Sequence, residues 1–257
     1  MVVLRLTVSF ARDKLPTNYY KMLKKVSFVI LSATLIAAHE SSLGQVQSID
    51  LPTVEEAIAA HQEVLEQQAA MVELPCVISR FDNVMRMVGA EQGQDWRLMS
   101  AIAYSESRFI ENLESNQGAQ GIMQIRPVVA RHFDVPVEKI SETETNVRLA
   151  GMLLSELDDM LRIPSSTPVE DRLSIILASY NAGVGHVLDA RRMARSEGAN
   201  PNSWTDVSRY LELKSDPAYY ELDVVQCGKF TGSKQTLAYV SQVMRKYNQY
   251  CKIATLS

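Results

Sequence analysis

Apolar residues recur at helical spacing in one segment after another, and this periodicity limits the possible folds more than any other feature of the sequence. Residues 173–182 are almost wholly apolar, which predicts a helix buried at the centre of the fold. Residues 146–161 place their leucines on one face, as expected of a helix that packs on one side only. No segment shows sustained strict alternation of apolar and polar residues, and no long internal repeat is evident. The sequence therefore predicts an all-α fold.

Local signals add the ends of several further helices. Gly93 is placed to end one helix, and Asp95 can cap the next by accepting hydrogen bonds from its first turn. A glycine-containing loop is expected over residues 111–121. The predicted helices cover residues 81–90, 96–110, 146–161, 173–182, 184–198 and 237–253.

The N-terminal region has the pattern of an export signal. Lys24 and Lys25 precede an apolar run over residues 26–38, and small residues follow. This order is typical of a secretory signal peptide, and the run is shorter than the ~20 residues of a membrane-spanning helix. We therefore expect residues 1–44 to be a signal peptide, with Met22 as an alternative start. The other interpretation of the apolar run is a buried core helix.

Residues 45–75 are expected to link this signal to the main domain. They begin as a polar stretch, after which Thr53 and Glu56 form a capping box at the start of an amphipathic helix over residues 53–72. The main domain is then expected to span residues 76–257.

Composition argues against several other classes of protein. The formal net charge is −4 and the basic residues are scattered, so nucleic acid is not expected as a partner. The histidines and cysteines show no metal-ligand spacing, so no metal and no cofactor are predicted. In an exported protein one pair of cysteines can form a disulfide, and the alternative is that all are small buried side chains. The three cysteines are Cys76, Cys227 and Cys251.

Four short segments carry the residues that could perform chemistry. Glu106 and Ser107 lie near the end of a predicted helix that is otherwise apolar around them, and Ser115 follows nine residues after Glu106. Residues 118–127 read Gly-Ala-Gln-Gly-Ile-Met-Gln-Ile-Arg-Pro, and residues 178–185 read Ala-Ser-Tyr-Asn-Ala-Gly-Val-Gly. Each segment alone is a weak signal, since glycines serve turns and a single glutamate usually faces solvent. Their combination in this order and at this spacing is far more specific.

In these segments the chain resembles the lysozyme-like catalytic domain of lytic murein transglycosylases, glycoside hydrolase family 23, also called the SLT domain. The family pattern is Glu-Ser, a serine about nine residues later, Gly-Ala/Val-x-Gly-Leu-Met-Gln and finally Tyr-Asn-Ala-Gly, and every element has a counterpart here. The similarity extends over about residues 81–250 and is greatest to the membrane-bound transglycosylase F branch. The resemblance implies an all-α, lysozyme-like helical domain, as in goose-type lysozyme.

The resemblance also implies a function. A peptidoglycan lytic transglycosylase cleaves the β-1,4 bond after N-acetylmuramic acid without water and leaves 1,6-anhydro ends, with Glu106 here as the catalytic acid and base. The residues implied to bind substrate are Ser115, Met123, Gln124, Tyr180 and Asn181. The implied partners are the glycan strands of peptidoglycan and other cell-wall proteins. The implied location is the periplasm, in association with the outer membrane.

A single carboxyl group suffices for this reaction if its pKa is raised. An apolar wall is expected to lift the pKa of Glu106 to roughly 6 or above by disfavouring its charged form. The residues expected to form this wall are Ile102, Ala103 and Met123. The nearest acidic residues, Glu111 and Glu114, lie in a polar loop and are interpreted as solvated surface.

Two other functions remain open from the sequence. A hydrolytic muramidase of the same fold would cleave the same bond with water, and it would need a second acid or another means of holding water. A non-catalytic peptidoglycan-binding protein would not need the predicted catalytic side chains. Their joint presence therefore argues against a purely binding role.

Overall fold

The computed structural model describes residues 75–256, so the predictions for the signal segment and for residues 45–74 lie outside the described residues. In the described part the chain is helical, and no strand longer than an isolated bridge forms there. The all-α prediction is confirmed. The helices are α1 (Asp82–Gln92), α2 (Trp96–Ser107), α3 (Pro127–His132), α4 (Thr143–Leu161), α5 (Val169–Ala182), α6 (Val184–Ser196), α7 (Trp204–Leu213), α8 (Pro217–Tyr220) and α9 (Ser233–Leu256), with a 3-10 turn at Val137–Lys139.

The junction between α1 and α2 follows the predicted capping signals. Gly93 ends α1 in the left-handed conformation, with φ of 66°. Asp95 caps α2 by accepting a hydrogen bond of 2.8 Å from the backbone N–H of Arg97. The same carboxylate accepts a hydrogen bond of 2.9 Å from the Tyr247 hydroxyl, which joins the start of α2 to α9.

Helix α5 lies at the centre of the bundle, as its apolar sequence predicts. It packs against α4, α6, α7 and α9, and its residues Ile175, Leu177 and Ala178 are fully buried. Helix α9 packs along α2 as well as α5. The last turns of α2 and α5 are therefore both held against one long helix, and this arrangement brings the predicted site together.

Several helix ends differ from the predictions. Helix α2 stops at Ser107 rather than at residue 110, because Arg108 and Phe109 both take left-handed conformations, with φ of 56° and 64°. Helix α5 begins at Val169, earlier than predicted, since its first turn is exposed and polar and shows no apolar periodicity. Helices α3, α7 and α8 were not predicted at all.

A buried ion-pair network fixes the segment that leads into α9. Asp189 and Lys214 are both fully buried, and the Lys214 ammonium donates to the Asp189 carboxylate. That carboxylate also accepts backbone hydrogen bonds of 2.8 Å from Gln226 and Cys227. Burial alone would raise the pKa of Asp189, but these hydrogen bonds outweigh it and hold the pKa below its ordinary value. The network therefore anchors the chain before α9 onto α6 and α7.

Two further findings concern membrane insertion and the cysteines. No helix in the described part of the chain is long and apolar enough to cross a membrane. Among the described residues the three cysteines form no disulfide, with Cys76 and Cys227 exposed and Cys251 partly buried.

Candidate active site

Glu106 lies in the last turn of α2 and is partly exposed as a residue. Residues three and four positions earlier lie on the same face of a helix, and at those positions Ala103 and Ile102 are fully buried. Next to Glu106, the Ser107 hydroxyl donates to the Ile122 carbonyl at 2.8 Å. The end of α2 is thus fixed to the following loop, with one carboxyl group at the edge of the apolar core.

Burial raises the pKa of Glu106 to about 7, in agreement with the value of 6 or above expected from the sequence. The Tyr239 hydroxyl acts in the opposite direction and favours the charged form. No other carboxylate of the described residues contributes to this shift. A glutamic acid with this pKa can be protonated at neutral pH and can both donate and accept a proton.

Tyr239 on α9 is a site residue that the sequence interpretation missed. Its hydroxyl is inaccessible to solvent and finds no hydrogen-bond partner of full geometry in the described part of the chain. Burial raises the pKa of Tyr239, and the charges of Glu106 and Tyr180 raise it further. The Tyr239 hydroxyl therefore faces Glu106, and its proton is available for a hydrogen bond to the carboxyl group. The one signal for it in the sequence was its position in the C-terminal segment that shares the family resemblance.

Tyr180, at the end of α5, is the second tyrosine beside the carboxyl group. Burial raises its pKa well above the ordinary value, and the Glu106 charge raises it further. Its hydroxyl donates to the Met123 carbonyl at 3.0 Å. The structure therefore places Tyr180 near Glu106, and its hydroxyl donates its proton to the backbone of Met123, whose own side chain is fully buried.

Ser115 and Gln124 shape the loop that faces the end of α2. The Ser115 hydroxyl oxygen accepts a hydrogen bond of 3.0 Å from the backbone N–H of Ala119. The Gln124 amide nitrogen donates to the carbonyls of Leu113 and Gly121 at 3.0 and 2.9 Å. Both side chains thus brace the loop backbone. The Gln124 amide oxygen and the Ser115 hydroxyl proton take no part in these hydrogen bonds to the loop backbone.

Asn146 on α4 is fully buried and makes hydrogen bonds to the backbone of this loop. The sequence interpretation assigned it no role. Its amide donates to the Gln120 and Ile140 carbonyls at 2.8 and 2.9 Å, and its oxygen accepts from the Met123 N–H at 2.8 Å. Gly121 lies directly against it with φ of +76°, and a Cβ there would be 2.6 Å from the amide carbon. Only glycine fits at that close approach.

Asn181 connects α5 with α9. Its amide oxygen accepts a hydrogen bond of 2.9 Å from the Thr236 hydroxyl. Thr236 and Tyr239 are three residues apart and share a face of α9. The contact therefore helps to set the rotation of α9 that directs Tyr239 toward Glu106.

The acidic residues nearest in sequence have different roles. Glu114 is exposed, as expected. The interpretation of Glu111 as solvated surface was incomplete, because its carboxylate also pairs with Arg80 and accepts a hydrogen bond of 2.7 Å from the Thr143 hydroxyl. The Glu111 carboxylate links the loop to the start of α4 and does not contribute to the pKa shift of Glu106.

Three surface clefts of the described residues, of about 360, 580 and 540 Å³, all lie away from Glu106. Within residues 75–256 no group of three or more His, Cys, Asp or Glu side chains is arranged to hold a metal ion.

Comparison with known proteins finds a matching family model and similar curated proteins. Residues 83–202 match the family model described as the Transglycosylase SLT domain, and these residues include Glu106, Tyr180 and the loop between them. Proteins named membrane-bound lytic murein transglycosylase F are similar in sequence. The protein of Mannheimia succiniciproducens is 36% identical over 49% of this chain and 25% of its own length. That of Serratia proteamaculans is 31% identical over 79% of this chain and 38% of its own length.

The chain therefore spans about a quarter to two fifths of the length of these curated relatives. Among solved structures, an inactive mutant of the lytic transglycosylase Slt of Pseudomonas aeruginosa aligns with 66% of this chain and 24% of its own. That alignment has a TM-score of 0.44 and 19% sequence identity.

Proposed function

Because residues 83–202 match the family model described as the Transglycosylase SLT domain, we propose that this chain is a peptidoglycan lytic transglycosylase with Glu106 as its single acid and base. It cleaves the β-1,4 bond between N-acetylmuramic acid and N-acetylglucosamine without water. The sequence similarity to transglycosylase F proteins, which extends over 79% of this chain in one relative, supports the same assignment.

In the proposed reaction, protonated Glu106 first donates its proton to the glycosidic oxygen as the bond to N-acetylmuramic acid breaks. The acetamido group of that sugar stabilises the positive charge at the anomeric carbon. Glu106, now a carboxylate, removes the proton from the 6-hydroxyl of the same sugar. The 6-oxygen then bonds to the anomeric carbon and closes the 1,6-anhydro ring, while Glu106 returns to its protonated form.

The observation that carries this proposal is a partly exposed glutamic acid whose pKa, about 7, is raised by burial and not by a neighbouring acid. Glycosidases that use water as the nucleophile usually need a second carboxylate within about 10 Å. No such group influences Glu106 in the described part of the chain. An internal hydroxyl nucleophile needs no second base, which favours the transglycosylase over the muramidase.

The tyrosines and the braced loop supply the remaining roles. Tyr239 donates to the Glu106 carboxylate after the first proton transfer and so stabilises the intermediate state. Tyr180 and the Met123 carbonyl bind the acetamido group of the sugar. Ser115, Gln124 and Asn181 contribute polar atoms to sugar hydroxyls, with the Gln124 amide oxygen as the available acceptor.

We also place residues 76–257 in one catalytic domain of the lysozyme-like kind, in a protein exported to the periplasm and associated with the outer membrane. The signal-like pattern over residues 1–44 supports export. The relatives are named membrane-bound, which supports a position at the cell envelope.

The test is mass spectrometry of the muropeptides released from purified sacculi by the full chain and by its Glu106→Gln variant. The proposal predicts 1,6-anhydromuropeptides from the wild type and none from the variant. Products with reducing ends would instead identify a muramidase. Release by neither protein, under conditions in which both bind sacculi, would favour a purely binding role.

A further inference from the structure

A groove on the far side of α9 has the features of a second binding site. It has a volume of about 580 Å³ and lies between α9, the start of α5 and the start of α7. Its floor is formed by the buried side chains of Val240, Met244 and Ser174, with Trp204 partly exposed at one end. The backbone N–H of Trp204 donates to the Asp171 carboxylate at 2.8 Å, which fixes the start of α7 beside the groove.

One wall of the groove is a regular row of hydrogen-bond donors. Ser241, Arg245, Asn248 and Lys252 all line it and are all exposed. Their spacing of four, three and four residues places them on a single stripe of α9. None of the four side chains makes a hydrogen bond or ion pair with another described residue. Glu170 is the single acidic residue in the lining, so the groove carries an excess of positive charge.

The groove is separate from the catalytic face. An α-helix turns by about 100° per residue, so Asn248, nine residues after Tyr239, points in the opposite direction from it. A ligand in the groove therefore lies behind α9 and leaves the surroundings of Glu106 free. Both regions can be occupied at the same time.

The dimensions of the donor row indicate an extended peptide. From Ser241 to Lys252 α9 rises by about 16 Å, which matches about five residues of extended chain at ~3.3 Å each. Arg245 and Lys252 are about 10 Å apart along the helix, the spacing of carboxylates three residues apart in such a peptide. Arginine in particular binds carboxylates through two parallel hydrogen bonds. A neutral sugar chain offers no partner for these two cations.

We infer that this groove binds the short, carboxylate-bearing peptide side chains of peptidoglycan, while the glycan strand occupies the Glu106 face. The inference rests on the proposed function, which supplies a substrate in which glycan strands carry acidic peptides. Trp204 and Met244 accommodate small apolar side chains of the peptide, and Arg245 and Lys252 pair with its carboxylates. The enzyme would thus hold the peptide-bearing wall at one face and cleave glycan at the other.

The first test measures binding without catalysis. The full chain is titrated by calorimetry with the free peptide released from sacculi by an amidase. Arg245→Gln combined with Lys252→Gln should weaken binding about tenfold at low salt, because two exposed ion pairs are lost. Arg131→Gln combined with Lys139→Gln removes the same charge from exposed positions elsewhere and should leave binding unchanged. Equal binding by the groove variant and the wild type would overturn the inference.

Two further measurements sharpen the result. An unrelated acidic pentapeptide of equal charge should bind at least tenfold more weakly than the wall peptide, and equal binding would overturn the assignment to peptidoglycan. The groove variant should release products from intact sacculi several-fold more slowly than the wild type, yet digest peptide-free glycan at the same rate. An equal loss on both substrates would also contradict the inference. The titration stays informative even if the chain proves inactive, since the peptide contains no glycosidic bond.

Discussion

The Glu106→Gln variant should be more stable than the wild type at neutral and alkaline pH, although it lacks the acid on which the proposed reaction depends. Glutamine has nearly the shape of protonated glutamic acid but cannot ionise. In the folded protein burial raises the pKa of Glu106 from 4.5 to about 7. The fold therefore disfavours the charged form, and glutamine removes that destabilising charge.

The size of the effect follows from the two pKa values. Each tenfold change in an ionisation constant corresponds to about 1.4 kcal/mol, so the difference between 4.5 and about 7 corresponds to about 3 kcal/mol. Because Glu106 is partly exposed, screening by water reduces this to about 2 kcal/mol. Since the folded pKa is raised, the contribution of Glu106 to stability is fully present below pH 4.5 and is lost as the pH rises through about 7. The advantage of the variant should grow over this range and then remain constant.

Urea denaturation followed by circular dichroism, at a series of pH values from about 4 to about 9, measures this difference. Subtracting the wild-type free energy of unfolding from that of the variant cancels the titration of all other groups. Glu114→Gln is the matched control, because Glu114 is exposed in the neighbouring loop, and its difference should stay within about 0.5 kcal/mol at every pH. An advantage for Glu106→Gln that is independent of pH, or that decreases as the pH rises, would refute the raised pKa.

Three further substitutions test the surroundings of the site. Tyr239→Phe removes a donor that favours the Glu106 carboxylate, so the alkaline limb of the pH–rate profile should move upward by about 0.5–1 pH unit. Gly121→Ala places a Cβ 2.6 Å from the Asn146 amide at positive φ and should cost about 2–4 kcal/mol in urea denaturation, together with activity. Lys214→Met leaves the buried Asp189 carboxylate without its ammonium partner and should cost about 3 kcal/mol by the same assay.

The parts of the fold that the sequence predicted are those specified by neighbours in the chain. Gly93 and Asp95 mark the α1–α2 junction through local backbone and capping preferences, and the structure has both caps. The apolar run of α5 also predicted its central position, because a helix that is buried on all sides requires apolar residues on all sides. The raised pKa of Glu106 was also predictable, because its helical neighbours are apolar.

What the sequence did not predict depends on contacts between distant residues. Tyr239 lies 133 residues after Glu106, and only the packing of α9 on α2 brings its hydroxyl to the carboxyl group. Asn146 looks like an ordinary polar helix residue until the loop carbonyls that it binds are known. Lys214 gives no sign in the sequence that it is fully buried, since lysine is usually exposed and its partner lies on another helix.

The central claim is that the bond is cleaved by an internal hydroxyl with Glu106 as the only carboxylate, and isotope labelling of the products tests it most directly. Sacculi are digested by the full chain in oxygen-18-labelled water, and the released muropeptides are analysed by mass spectrometry. The account predicts anhydromuropeptides that carry no label at the anomeric carbon. Incorporation of one labelled oxygen at that carbon in the primary products would show that water is the nucleophile and would contradict the account.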